Sequence, residues 1–355
     1  MKKARLCDLG LISALESQTI YHAVSKAFKK DSHPTLILMR PKTPYVCIGY
    51  HQELSKEVDL EFCRINEIPV FRREIGGGAV LLDKNQLFFH LICSKDEISG
   101  DIEKRFRKFT RPAIETYRAF GIEAEFKPIN DIQVRGRKIG GIGGKIGKSQ
   151  IFASSMMFDF NHKMMSQVLK VPSEKMRDKV FQSLEEYITT MNRELGFKPD
   201  LREVKERLVE NFEKTFHFEF EALNLSDEER EIVKILNERF SSEQFLNRKK
   251  FKRKDSKAVK ISGGVYVREA TYKARGGLIR ATLRLRENLI EDLLLSGDFF
   301  VYPKNGLRKL EKALVGAELE RKEILERIEA FFEEEIEILG VSRKDFLKVL
   351  MLTKA

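Results

Sequence analysis

The sequence predicts an α+β protein in two parts, and three observations carry that reading. Short apolar runs bounded by Gly and Pro recur between helical stretches as far as Phe160. Helical periodicity then dominates from Lys163 to about Phe240. Past a dense run of Lys and Arg, alternating segments return and give way to amphipathic helices, a separate α+β unit of about 100 residues, an ordinary domain size.

Taken in order, Ser13 to Phe28 sets Leu15, Ile20, Ala23, Val24 and Ala27 at helical spacing. Leu36 to Met39 and Tyr45 to Gly49 read as adjacent strands separated by Pro41 and Pro44. Val58 to Asn66 reads as a helix and Gln86 to Cys93 as a strand. Asp101 to Phe120 is helical in period despite Pro112, and Gly121 ends it. Ile129 to Ile139 reads as strand, turn and strand, with Arg135-Gly136 as the turn, and Ser154 to Phe160 as a further strand. Val171-Pro172-Ser173 and Gly196-Phe197-Lys198-Pro199 break the long helical stretch. In the last part Val259-Lys260-Ile261, Gly264 to Arg268, Ala270 to Ala274, Leu278 to Leu285 and Leu293 to Val301 read as strands. Asn305 to Leu314, Arg321 to Leu339 and Phe346 to Met351 read as helices.

The 355 residues are 42% hydrophobic and 34% charged, which permits a sizeable core beneath a charge-dense surface. No apolar run approaches the roughly 20 residues that span a bilayer, and Met1 to Leu6 lacks a signal-peptide apolar region. Cys7, Cys47, Cys63 and Cys93 show no Cys-x-x-Cys spacing, so neither a zinc site nor a disulfide framework is expected. The expectation is a cytoplasmic protein with reduced thiols and no membrane partner. The six histidines have no metal-ligand spacing. Much of the net charge of +11 lies between Asn247 and Arg284, densest from Arg248 to Lys254. That block reads as a solvated linker or a contact for an acidic partner. Nucleic-acid binding is the lesser reading, because no nucleic-acid motif accompanies it.

Most of the chemistry gathers in three places. The first is Arg72-Arg73-Glu74-Ile75-Gly76-Gly77-Gly78-Ala79-Val80-Leu81-Leu82-Asp83. Three glycines in a strand pattern are costly in backbone entropy and are kept where something approaches the main chain closely. The adjoining arginines suggest an anion. The second is Asn130-Asp131, and the third is Lys138, followed by Gly140-Gly141-Ile142-Gly143-Gly144-Lys145-Ile146-Gly147-Lys148. Glycines expose N–H groups to phosphate oxygens, Arg and Lys neutralise developing charge, and an aspartate can hold Mg²⁺ bridging phosphates. Such a set suits activation of a carboxylate by a nucleotide. No Gly-x-x-x-x-Gly-Lys-Ser/Thr stretch is present, so this is not a P-loop. Taken singly, a glycine run also serves as a tight turn, Asn130-Asp131 as an Asx-turn, and Lys138 as a plain hairpin lysine.

Together these segments resemble the lipoate–protein ligase family, in the group that includes biotin–protein ligases and octanoyltransferases. The family's pattern is a paired arginine, two residues, three glycines, Ala-Val and His-Asp, then Asn-Asp-Ile/Leu and Gly-Arg-Lys-Ile/Val-x-Gly. Here it stands as Arg72 to Val80, Asn130-Asp131-Ile132 and Gly136-Arg137-Lys138-Ile139-Gly140-Gly141. Val46 to Gln52 is similar to the family's strand ending in Ile-Gly-x-x-Gln, and Leu293 to Phe300 to its accessory domain. The resemblance implies a mixed or antiparallel-sheet catalytic domain with flanking helices over residues 1–245, a basic linker 246–257 and an accessory domain 258–355. It implies that lipoate and ATP·Mg²⁺ give lipoyl-AMP, whose acyl group passes to a lysine of a lipoyl carrier. The carrier would be the lipoyl domain of an oxoacid dehydrogenase acyltransferase, the glycine-cleavage H protein or a similar carrier. It further implies Lys138 at the carboxylate and α-phosphate, Arg73 near the acyl carboxyl, and Gly76, Gly77 and Gly78 along the acyl tunnel. Asn130 and Asp131 would meet nucleotide phosphate, Asp131 would hold Mg²⁺, and Lys179 would belong to the adenylate-binding loop.

The chain departs from the pattern at four places. His-Asp is Leu82-Asp83, Gly-Asn is Asn85-Gln86, His-Gly-Thr is Ala153-Ser154-Ser155, and Ser-Val-Arg-Ser-Arg-Val is Ser183 to Ile188. Leu82 is where the acyl preference is expected to be set. One alternative is an octanoyl or lipoyl transferase of the same fold, which attacks with a cysteine. No cysteine follows Cys93, and Cys47 and Cys93 lie in buried-looking strands. The other is a non-catalytic ligand-binding homologue, against which Arg73, Asn130, Asp131 and Lys138 argue.

Overall fold

A computed structural model describes residues 1–250, 265–334 and 336–354. They divide into two compact units. The first comprises Met1–Cys47, Val58–Arg73 and Val80–Ser242; the second comprises Ile48–Glu57, Glu74–Ala79 and Glu243–Ala355. Two short segments expected within a catalytic domain 1–245 therefore group with the C-terminal part, as do residues 243–250. The rest of the expected linker, and the strand expected at Val259-Lys260-Ile261, lie outside the described residues.

The strands of the first unit are β1 (Lys2–Ile12), β2 (Thr35–Pro41), β3 (Tyr45–Ile48), β4 (Val70–Arg72), β5 (Val80–Leu82), β6 (Gln86–Cys93), β7 (Ala124–Lys127), β8 (Asp131–Val134), β9 (Arg137–Ile146), β10 (Gln150–Met157) and β11 (Phe218–Ala222). Among the described residues they form a mixed eight-stranded sheet in the order β11-β1-β2-β6-β10-β9-β8-β7, and a small sheet β4-β3-β5. β1 runs parallel to β11 and β2, and the other pairs of the large sheet are antiparallel.

Successive residues of β6 face opposite sides of this sheet. Phe89 meets Phe109 of the helix Ile102–Ala119 and Phe212 of the helix Leu201–Phe216, with ring centroids 5.4 and 6.0 Å away. The first of these helices starts where the Asp101 side chain accepts from the Lys104 N–H, and stops before Gly121 at φ +82°. His90 faces the other side, packed edge-on against Tyr21 of the helix Glu16–Ala27 at 4.6 Å.

β1, β7 and β11 are strands that the sequence reading passes over. β1 buries only Ala4 and Cys7, both small, so its alternation is faint. β11 reads Phe-Glu-Phe-Glu-Ala, a period-two pattern embedded in a stretch dominated by helices. The second glycine run is also strand, since β9 continues through it to Ile146.

In the second unit, β12 (Val265–Ala274), β13 (Gly277–Arg286) and β14 (Leu289–Gly297) form an antiparallel meander, and β15 (Val301–Tyr302) pairs β16 (Glu337–Ile338). The helices Gly306–Leu314, Arg321–Phe332 and Arg343–Leu352 bury Leu310, Ile324 and Phe346 in one core with Leu283 and Leu295. The described residues of the segments read as two strands form one, Val265–Ala274, and the helix expected to reach Leu339 stops at Phe332.

His90 is 4% exposed, its Nδ1 has no hydrogen-bond partner among the described residues, and burial pushes the imidazole down to about 3 from 6.5. Above pH 6.5 it is neutral both folded and unfolded. As pH falls from 6.5 towards 3 only the unfolded chain takes the proton, so stability drops by about 1.4 kcal/mol per pH unit. His90→Phe should remove that slope in urea-unfolding midpoints taken from pH 7 to pH 4. Equal slopes for variant and parent would refute it.

Candidate active site

In the first unit the β8–β9 hairpin carries most of the expected polar residues. Arg135 (φ +48°) and Gly136 (φ +79°) make its turn, the left-handed pair that suits a tight two-residue connection. Gln133 pairs with Lys138 but Ile132 pairs with Gly140, so β9 holds one extra residue there. Ile139 and Gly140 are both buried as a result. Beyond this bulge Gly141 stands opposite Asp131. Asp131, Gln133, Lys138 and Gly141 therefore share one face.

On that face Lys138 Nζ lies 2.6 Å from Asp131 Oδ1, with the two side chains 31% and 18% exposed. The ammonium crosses above Gly141, where a Cβ would stand 3.1 Å from both Lys138 Cε and Nζ. Tyr187 Oη donates to Asp131 Oδ2 at 3.3 Å and accepts from Gln133 Nε2 at 3.3 Å. Asn130 is bound to the hairpin itself. Its Nδ2 donates to the Ile142 carbonyl at 2.9 Å, and its own carbonyl accepts from the Ile142 N–H at 2.8 Å. Further along β9, Gly144 lets the sheet approach the helix, since a Cβ there would meet Phe106 at 2.9 Å.

Arg73 belongs to the same unit and donates to the Cys47 carbonyl at 3.0 Å. Beside it Ala14, Tyr45 and Cys47 form an apolar cluster with Phe71, Val80 and Leu82 packed against it. Tyr45 Oη closes that cluster, taking a bond from Gln18 Nε2 at 2.7 Å and sharing another with Ser17 Oγ at 2.6 Å. Lys179 stands exposed on the helix Glu174–Tyr187. The hairpin meets that helix at its other end, through Tyr187, a residue that motif reading left unassigned. Its one sequence signal is its place in the departing segment Ser183–Ile188.

Gly76, Gly77 and Gly78 belong to the second unit, and there the glycines have a packing reason. A Cβ on Gly76 would stand 2.6 Å from the Phe299 carbonyl oxygen. A Cβ on Gly49 would stand 1.8 Å from the Gly77 carbonyl oxygen, and Gly77 itself has φ +92°. The start of the basic block is also structural rather than a solvated linker. The Arg248 guanidinium lies 3.6 Å from the Tyr50 ring centroid. Lys249, 8% exposed, pairs with Glu311 at 2.6 Å and donates to the Leu295 carbonyl. Lys250 is exposed, and Phe251 to Lys254 lie outside the described residues.

All four cysteines are buried and unbridged. Burial raises each thiol, Cys7 and Cys63 to about 11 and Cys93 to about 12. Among the described residues no three His, Cys, Asp or Glu side chains converge as a metal site, and no helix is long and apolar enough to cross a membrane.

The family model of the lipoyl protein ligase A/B catalytic domain matches residues 13–213, and that of the bacterial lipoate protein ligase C-terminus matches residues 266–350. Lipoate-protein ligase LplJ of Bacillus subtilis is 29% identical over 304 residues, covering 84% of this chain and 86% of its own. Octanoyltransferase LipM of Oceanobacillus iheyensis is 25% identical over 233 residues, covering 60% and 85%. Among solved structures, a bipartite lipoate protein ligase of Thermoplasma acidophilum, described with its E2 lipoyl domain, superposes with TM-score 0.66 at 28% identity, over 72% of this chain and all of that one. Lipoate-protein ligase A bound with ATP gives 0.60 at 26%, over 68% and 98%.

Gly49→Ala should destabilise the second unit by about 1–3 kcal/mol, the usual cost of forcing an atom into a packed site. Denaturant unfolding of the full chain measures it. An unchanged midpoint would show that the backbone around Gly77 yields freely.

Proposed function

The chain belongs to the lipoyl protein ligase A/B catalytic domain family, and from that membership we propose that it activates lipoate or octanoate with ATP·Mg²⁺ and passes the acyl group to a lysine of a lipoyl-carrier domain. In the first step a carboxylate oxygen of the acid bonds to the α-phosphorus of ATP. The bond from that phosphorus to the bridging oxygen breaks, and pyrophosphate leaves. In the second, the neutral amine of the carrier lysine attacks the acyl carbonyl, AMP leaves and one proton is released.

The observation that carries this reading is the Lys138 ammonium held by Asp131 above Gly141. A fixed cation there would stabilise charge on the carboxylate and α-phosphate as it develops. Arg73 beside the apolar cluster of Ala14, Tyr45, Cys47, Phe71, Val80 and Leu82 supports a carboxylate with an apolar tail. Leu82, packed at that cluster, is then the residue to set the acyl preference. Lys179 would meet the nucleotide.

Asp131 suits Mg²⁺ only as a single carboxylate, with substrate phosphates and water completing the shell, which is how magnesium is usually held with nucleotides. When bound, the ion would offset the charge of the phosphates; Asp131 would be its protein ligand, and Asn130 beside it would face the nucleotide phosphate. An E2 lipoyl domain is the partner of the T. acidophilum ligase, and a lipoyl domain of that kind, or the glycine-cleavage H protein, is the acceptor we infer here. LipM relatives favour a transferase as the second reading. A thioester route needs an accessible thiolate, and the buried, raised thiols argue against it.

Pyrophosphate release with octanoate or lipoate, ATP and Mg²⁺ tests the proposal. Lys138→Ala should lower its rate by about 10²–10³, the usual effect of removing one group that stabilises transition-state charge. No release by the parent, or equal release by the variant, would overturn the reading.

A further inference from the structure

We propose that Tyr187 is a positioning residue for Lys138, acting through Asp131; its use in the reaction rests on the role given to Lys138 above. The direction of the bonds comes from the chemistry of each group. A carboxylate only accepts and an amide nitrogen only donates. The Tyr187 hydroxyl therefore accepts from Gln133 and spends its one proton on Asp131 Oδ2. Asp131 Oδ1 meets Lys138 at 2.6 Å. Each carboxylate oxygen makes one of these contacts, so rotation about the Asp131 side chain is held from two sides.

The residues after Tyr187 grip the same lysine by its backbone. The Thr189 N–H donates to the Lys138 carbonyl at 2.9 Å, and Ile188 and Lys138 form a parallel bridge. Residues 187–189 thus hold Lys138 twice, through its main chain and through the counter-ion of its ammonium. Tyr187 is 48% exposed, so its ring adds little to the core. The phenol is neutral, and it orients the carboxylate without competing with Lys138 for its charge.

Tyr187→Phe keeps the ring and removes the hydroxyl. The first measurement is acetylation of Lys138 by trace acetic anhydride at fixed pH, followed by mass spectrometry on the full chain without substrates. We expect the rate to rise about three- to tenfold, the scale of losing one ordinary hydrogen bond. Asp131→Asn should give a similar rise, and the double variant no more than Asp131→Asn alone. An unchanged rate for Tyr187→Phe, or additive effects in the double variant, would overturn the proposal. The second measurement is acyl-dependent pyrophosphate release. Here kcat should fall about five- to tenfold, with KM for ATP and octanoate within about twofold. An unchanged kcat beside raised labelling would also overturn it. Absence of release in the parent protein would instead defeat the ligase reading, and the labelling would still decide whether Tyr187 holds Lys138.

Discussion

Lys138 and Asp131 on the β8–β9 hairpin impose the condition that the rest of the site obeys. A lysine stem has four flexible carbons, and an ammonium in water has no reason to stay in one place. Here Asp131 lies 2.6 Å away, Gly141 leaves the space the ammonium crosses, and Thr189 ties down the Lys138 carbonyl. The pair is partly exposed, so its contribution to stability is small, about 0–1 kcal/mol. In the proposed reaction its value is positional. A catalyst that works by stabilising developing charge depends on a cation already oriented before the reaction begins.

The β9 bulge shows how backbone register serves that placement. It puts one extra residue between Lys138 and Gly141. Ile139 and Gly140 both turn inward, where the Tyr117 hydroxyl takes up the Ile139 carbonyl at 3.0 Å. The residue that comes to lie opposite Asp131 is then a glycine with room above it. Apart from turns and helix ends, glycine serves several packing purposes among the described residues. Gly141 leaves space for a side chain, Gly144 lets a helix approach the sheet, and Gly49 and Gly76 allow two stretches of backbone to pass closely.

Charge is similarly divided between structure and chemistry. Composition reads the basic block as a solvated linker or a contact for an acidic partner, yet Arg248 lies over an aromatic ring and Lys249 is buried against Glu311. Composition counts charges but does not say which find partners. The thiols make the complementary point: four cysteines could have supplied a nucleophile, and burial makes each a poorer one.

Much of this was legible in the residues alone. The α+β class, the helices read at Asp101 to Phe120 and Phe346 to Met351, the hairpin turn at Arg135-Gly136 and the family all followed from local spacing and motif, because periodicity and turn chemistry are short-range properties. The faint strand β1, its parallel partner β11 and the continuation of β9 through glycine did not, because each is held by pairing with residues far away in the chain. The same reason governs the site. Asp131 and Lys138 could be placed close together from the order of residues, being neighbours on one hairpin. That Tyr187 completes their network, and that Gly76 to Gly78 pack with the C-terminal part, was settled by tertiary packing, because such contacts depend on register and on how distant segments fold together.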